Sequence, residues 1–180
     1  MHPDAWLLVV DPQRIFADPA SQWGSPMFAD IVEPVRRLAA DAGERTVVTR
    51  WVPAADPQGS WRAYLDAWPF ADVAEDDPLL DLVPEVSGLG RHVVSLPTFG
   101  KWGPELEAVT GPTPHLVLTG VATDCCVVST ALAAADAGAT VTVVTDACAG
   151  SSPDNQRAAL HVMGLYPPQI TLATTADLLP

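Results

Sequence analysis

Two adjacent cysteines, Cys125 and Cys126, are the residues of this chain best suited to covalent chemistry. They follow the apolar run His115–Thr119 and Gly120, and they precede an alanine-rich stretch with helical spacing that ends at Gly138. This pattern predicts a strand, a tight turn and a helix. A thiol in the first turn of a helix faces the positive end of the helix dipole, which favours the thiolate and lowers the thiol pKa. The turn is therefore a candidate for a nucleophile, although a free cysteine is more often a small buried hydrophobe.

An acid and a cation occur where they could join such a thiol. The apolar run Trp6–Asp11 predicts a strand buried on both faces, and Asp11 is its last residue. Lys101 is the only lysine of the chain, and it lies in a loop after the short strand predicted at His92–Ser95. Together with a thiol, these two residues could form a hydrolytic site.

Strands and helices alternate along the chain, which is the pattern of a parallel sheet covered by helices on both faces. We expect an α/β fold, with residues 1–180 forming a single-domain three-layer sandwich around a six-stranded, mostly parallel sheet. The predicted strands are 6–11, 45–50, 92–95, 115–119, 140–146 and 169–173, and the main predicted helices are 27–42, 60–68 and 153–163. Residues 51–90 show weaker patterning and are predicted to form an excursion that covers a site.

The topology predicts where the candidate residues meet. In an open parallel sheet, ligands bind outside the carboxyl ends of the strands, at the point where the strand order reverses. We expect the reversal to pair the first strand with the fourth. That pairing places Asp11 beside Cys125 or Cys126, with the loop of Lys101 at the same edge.

At these positions the sequence resembles the isochorismatase-like cysteine hydrolases, a superfamily that includes nicotinamidases, N-carbamoylsarcosine amidohydrolases and isochorismatase. The resemblance spans nearly the whole chain and rests on VVDPQRIF at 9–16, TGVATDCCV at 119–127 and VTVVTDACAG at 141–150. In the family the nucleophile directly precedes a valine and lies three residues after the threonine. The resemblance therefore selects Cys126 as the nucleophile and leaves Cys125 as a packing residue.

The resemblance also implies the partners of the nucleophile. Asp11 matches the family's general base. Lys101 is the candidate third catalytic residue, although it lies six residues beyond the usual position, so its long stem has to deliver the ammonium from the loop. A cis peptide is implied between Val121 and Ala122, with the N–H groups of Ala122 and Cys126 forming an oxyanion hole.

The function implied is that of a metal-independent cysteine hydrolase, which cleaves a C–N bond of a small amide or carbamoyl compound through a thioester. Trp51, Val52 and Pro53 stand where metal-dependent nicotinamidases carry an Asp and two His, so we expect no metal and no other cofactor. Two alternatives remain open: an isochorismatase-type vinyl-ether hydrolase, and a non-catalytic binding or scaffold member of the fold. Aromatic residues near the strand ends are candidates for the walls of a substrate pocket: Phe16, Trp23, Trp51 and Trp102.

Composition limits the partners of the protein. The 180 residues are 48% hydrophobic and carry a net charge of −13, and the nine basic residues are scattered, which argues against a nucleic-acid partner. No apolar run is long enough to predict a membrane span. Three cysteines, two of them adjacent, make a poor disulfide framework, so we expect a reducing cytoplasm. The expected partner is a small-molecule substrate, and the family resemblance implies a homo-oligomer.

Overall fold

One sheet of six strands, all paired in parallel, forms the centre of the molecule, in the order β3-β2-β1-β4-β5-β6. The computed structural model describes residues 1–179, and within them it confirms the predicted α/β sandwich. The strands are β1 (Trp6–Val10), β2 (Thr46–Trp51), β3 (His92–Leu96), β4 (His115–Val121), β5 (Thr140–Ala149) and β6 (Ile170–Ala173).

Helices cover both faces of this sheet and complete the three layers. Seven α-helices are present within residues 1–179: α1 (Arg14–Ala17), α2 (Phe28–Ala42), α3 (Ser60–Ala67), α4 (Pro104–Thr110), α5 (Val128–Asp136), α6 (Pro153–Met163) and α7 (Thr175–Leu178). The apolar side of α2 packs on one face of the sheet through Ile31, Val35 and Leu38. Residues of α4, α5 and α6 pack on the opposite face. The core therefore consists of two apolar layers separated by the sheet.

The strand order reverses between β1 and β4, as the sequence predicted. Val10, the last residue of β1, is paired with Gly120 of β4. The backbones come very close at this point, because a Cβ on Gly120 would lie 2.2 Å from the carbonyl oxygen of Val10. Gly120 also has a φ of +105°, which favours glycine. The carboxyl ends of β1 and β4 are thus held side by side.

Two strands are longer than predicted. β4 continues past Gly120 to Val121, and β5 continues past Asp146 to Ala149. The cause is a register shift after Leu118, beyond which Gly120 pairs with Cys148 and Val121 pairs with Ala149. The two strands resume their ladder after this irregularity, and the sequence pattern does not reveal it.

The excursion between β2 and β3 is tied to the sheet by Gln13. Its buried side-chain amide donates to the carbonyl oxygens of Trp51 (2.9 Å) and Leu80 (2.8 Å), and its amide oxygen accepts from the N–H of Trp51 (2.6 Å). The helix predicted at 60–68 is present as α3. In residues 1–179, the helices are too short or too polar to cross a membrane.

Candidate active site

Asp11 and Lys101 form a fully buried ion pair at the carboxyl edge of the sheet. Asp11 comes directly after β1, with a φ of 45°, and Lys101 lies in the loop that follows β3. The lysine Nζ is 3.1 Å from Oδ2 of Asp11, and both side chains are 0% exposed. Cys126, in the turn after β4, lies close enough for both charges to act on its thiol. The three residues singled out in the sequence therefore meet at one place.

Thr49 of β2 fixes the orientation of the Asp11 carboxylate. Its hydroxyl donates to Oδ1 of Asp11 (2.6 Å), and its oxygen accepts from the backbone N–H of Asp11 (3.1 Å). Within residues 1–179, Oδ2 faces Lys101 but accepts no hydrogen bond of regular geometry. Because one oxygen is fully engaged and the other keeps a free lone pair, Oδ2 is available to accept a proton.

Thr130 of α5 joins the loop of Lys101 to the turn of Cys126. Its oxygen accepts from the backbone N–H of Lys101 (2.9 Å), and its hydroxyl donates to the carbonyl of Cys126 (2.7 Å). The ammonium of Lys101 donates to the carbonyl of Thr98 (2.7 Å). These bonds explain how a lysine six residues beyond the expected position still reaches the site. Thr49 and Thr130 escaped the sequence analysis; their one signal is a threonine at a position that the apolar pattern marks as buried.

The turn that carries Cys126 begins with a cis peptide between Val121 and Ala122. Residues 123–127 form one π-helical turn before α5, in which the carbonyl of Ala122 accepts from the N–H groups of Cys125 (3.0 Å) and Val127 (3.1 Å). Asp124 does not cap this turn. Its carboxylate accepts instead from the backbone N–H and hydroxyl of Ser151, both at 2.7 Å, and so ties the turn to the loop after β5.

The two adjacent thiols have pKa values shifted in opposite directions. Interaction with the Cys125 thiol, burial and the Asp11 carboxylate raise the pKa of Cys126 well above its ordinary value, while Lys101 acts in the opposite sense. The pKa of Cys125 is lowered, chiefly by its hydrogen bond with the Cys126 thiol. The sequence-based expectation of a lowered pKa is therefore wrong for Cys126, because only 3% of this residue is exposed and the thiolate would lose its hydration. At neutral pH Cys126 is a neutral thiol that requires a base.

Alkylation of the free protein tests these directions. Iodoacetamide at about pH 7 is expected to label Cys125 first, because the thiolate is the reactive form and Cys125 is the more exposed of the two. Labelling of Cys126 is expected to keep accelerating up to about pH 10, since its raised pKa leaves it protonated below that range. Peptide mass mapping over this pH range measures both rates, and Cys148, which is fully buried, serves as the unreactive internal control. Preferential labelling of Cys126 at about pH 7 would contradict the assignment.

A pocket of about 440 Å³ opens above the cysteines. Three of the four aromatic residues singled out in the sequence line it: Phe16, Trp23 and Trp51. Trp102 does not, and this expectation is corrected: Trp102 packs on the apolar layer under α4 and α5. The reason is that Lys101 points inward to Asp11 at this place in the loop, and Trp102 follows it onto the other face of the sheet.

Three further aromatic residues of the pocket were not predicted. Tyr64 and Trp68 come from the excursion, and Phe99 comes from the loop before Lys101. Burial, followed by the nearby Cys125 and Cys126, raises the pKa of Tyr64 to about 12, so its phenol stays protonated. Their signal in the sequence was the concentration of aromatic residues in a segment without clear patterning. No set of three or more His, Cys, Asp or Glu side chains within residues 1–179 is arranged to hold a metal ion.

Comparison with known proteins gives a family and a set of similar folds. Residues 5–177 match the model described as Isochorismatase domain. A cysteine hydrolase from Pseudomonas syringae pv. phaseolicola 1448A is 22% identical with a TM-score of 0.82, covering 99% of this chain and 92% of its own. An isochorismatase family protein from Desulfovibrio vulgaris is 22% identical with a TM-score of 0.80 (97% and 96% covered). N-carbamoylsarcosine amidase from Thermoplasma acidophilum is 20% identical with a TM-score of 0.74 (98% and 99% covered). A search of curated proteins finds no match.

Proposed function

This chain belongs to the isochorismatase family, and from that premise we propose that it is a metal-independent cysteine hydrolase cleaving the C–N bond of a small amide or carbamoyl compound. The observation that carries the proposal is the buried pair of Asp11 and Lys101 beside a buried thiol, at the floor of a pocket. Burying two charges costs desolvation free energy, and apolar residues of similar size often serve stability as well or better. A pair retained next to a thiol supports an enzyme over a non-catalytic scaffold.

The first half of the reaction forms the thioester. Asp11 accepts the proton of Cys126 through its free Oδ2 lone pair as the sulfur attacks the carbonyl carbon of the substrate. Because the pKa of Cys126 is raised, proton removal accompanies the attack and does not precede it. The backbone N–H groups of Ala122 and Cys126 stabilise the oxyanion. Asp11 then returns the proton to the leaving nitrogen, the C–N bond breaks and ammonia or an amine departs.

The second half of the reaction hydrolyses the thioester. Asp11, again a carboxylate, accepts a proton from water, and the resulting hydroxide attacks the acyl carbon. The C–S bond breaks, the proton returns to the Cys126 sulfur, and the acid leaves. Throughout both halves the ammonium of Lys101, 3.1 Å from Asp11, stabilises the negative charge that passes between carboxylate and sulfur.

A vinyl-ether hydrolase remains the second candidate within this fold. Hydrolysis of a vinyl ether proceeds by protonation of the double bond and addition of water, and it has no use for a nucleophilic thiol. The presence of Cys126 beside a base therefore favours the amide reaction.

Release of ammonia from a panel of small carboxamides and N-carbamoyl compounds tests the proposal. We expect turnover of at least one compound, an acyl adduct on Cys126 detected by mass spectrometry, and formation of a hydroxamate when hydroxylamine replaces water. Activity is expected to survive dialysis against a chelator and to be unaffected by added zinc, because the ligand set is missing. Activity that disappears with the chelator and returns with zinc would contradict a metal-independent reaction.

A further inference from the structure

The walls of the pocket are aromatic rings that face it from several directions. Trp23 is central to them: Trp51 and Trp68 lie at 73° and 64° to its plane, with ring centroids 5.4 and 5.7 Å away. Tyr64 and Phe99, on the other side, are at 85° to each other with centroids 5.4 Å apart. These rings are arranged as the sides of a box.

Such an arrangement selects for the shape of the ligand. A flat aromatic ligand gains most from one or two parallel faces, against which it can stack. A rounded group gains from faces in several directions, and a rounded organic cation gains additionally from the negative charge above each ring. Rings close to perpendicular therefore favour a compact alkylated ammonium group over a planar ring.

The charges around the pocket favour a cation as well. None of its lining residues is Lys, Arg or His, and the one nearby ammonium, that of Lys101, is neutralised by Asp11. Asp124 and Cys125, which do line the pocket, are groups that carry negative charge when ionised. The net charge of −13 adds a long-range attraction for cations. A substrate with a carboxylate would find no counter-charge there.

Building on the proposed function, we propose that the non-reacting end of the substrate is an organic cation, a methylated ammonium group enclosed by Trp23, Trp51, Trp68 and Tyr64, with the amide or carbamoyl carbon directed to Cys126. The pocket volume of about 440 Å³ falls in the range of small-molecule sites and accommodates such a head group together with the amide. Specificity is thus determined by the excursion between β2 and β3, which carries Tyr64 and Trp68.

Binding of two isosteric alcohols tests the inference without any turnover. Choline carries a trimethylammonium group, and 3,3-dimethylbutan-1-ol carries a neutral tert-butyl group of the same shape. Quenching of tryptophan fluorescence, at constant ionic strength, is expected to give a Kd for choline at least about tenfold lower than for the neutral alcohol. Equal affinities, or tighter binding of the neutral alcohol, would overturn the inference.

Two matched variants locate the binding site. Trp68 is 37% exposed at the pocket rim, so Trp68→Leu leaves the core intact and is expected to weaken choline binding at least about fivefold. Trp61, on the same helix α3, faces a neighbouring hollow and does not line this pocket, so Trp61→Leu is expected to bind choline as the unaltered protein does. Equal loss in both variants, or loss in neither, would place the cation elsewhere and overturn the inference.

Turnover separates this inference from the proposed function. The matched substrates are trimethylammonioacetamide and 3,3-dimethylbutanamide, of which we expect the cation to have the higher kcat/KM, by about tenfold or more. If both are hydrolysed equally and choline binds no better than its isostere, the hydrolase stands and the cation site is wrong. If choline binds selectively but no amide or carbamoyl compound reacts, the cation site stands and the proposed reaction is wrong.

Discussion

Replacement of Cys126 with alanine is expected to lower the turnover number at least about a thousandfold, because the thioester can no longer form. The variant should fold normally, since a buried cysteine behaves as a small apolar residue and alanine leaves little empty space. Ammonia release at saturating substrate measures the loss, and the thermal unfolding midpoint shows that the fold is retained. Substrate binding is expected to persist, because the aromatic walls are unchanged.

Cys125 offers the matched control for this experiment. It lines the same pocket and has the lowered pKa of the two thiols, so pKa alone would select it as the nucleophile. We assign it no bond to the substrate, and Cys125→Ala is expected to retain turnover within about tenfold. An inactive Cys125→Ala with an active Cys126→Ala would move the nucleophile to Cys125 and refute the mechanism.

The meeting of Asp11 and Cys126 could be predicted from the sequence because it depends on topology. Two apolar strands of a parallel sheet end at the same edge, and β1 and β4 are adjacent where the strand order reverses. The short motifs fix each residue to the end of its strand. No knowledge of loops is needed for this step, and therefore pattern alone was sufficient.

The position of Lys101 could not be predicted in the same way. Residues 97–103 form a loop, and spacing along the chain does not determine where the path of a loop leads. Its course depends on hydrogen bonds made by Thr130, which is 29 residues further along the chain. For the same reason Trp102 was assigned to the pocket and Phe99 was not, whereas the structure has them the other way round.

The thiol pKa was mispredicted because two effects compete. The helix dipole stabilises a thiolate by a modest amount, and it can be judged from sequence alone. The desolvation penalty depends on how deeply the sulfur is buried and is often larger, and burial is known only from the fold. At Cys126 burial prevails, so the site uses a base to activate its thiol.

Lys101→Met is expected to lower the turnover number several hundredfold, with a smaller effect on KM. Methionine fills much of the space of the lysine stem but carries no charge, so the variant removes the cation that stabilises Asp11 and the developing thiolate. A residue that acts on the chemical step and lies outside the substrate pocket should affect kcat more than KM. The labelling of Cys126 should also shift to higher pH, because the ammonium lowers that thiol pKa.

Stability has to be separated from chemistry in this variant. Removing one partner of a buried ion pair leaves an uncompensated charge, at a cost of about 3–5 kcal/mol in the free energy of unfolding. The double variant Asp11→Asn with Lys101→Met has no buried charge at this place, so we expect it to recover much of the stability while remaining inactive. Recovery of activity with stability would mean that the pair only supports the fold. Full turnover in a folded Lys101→Met would likewise remove the lysine from the mechanism, whereas a stable but inactive double variant requires that the two charges act on the reaction itself.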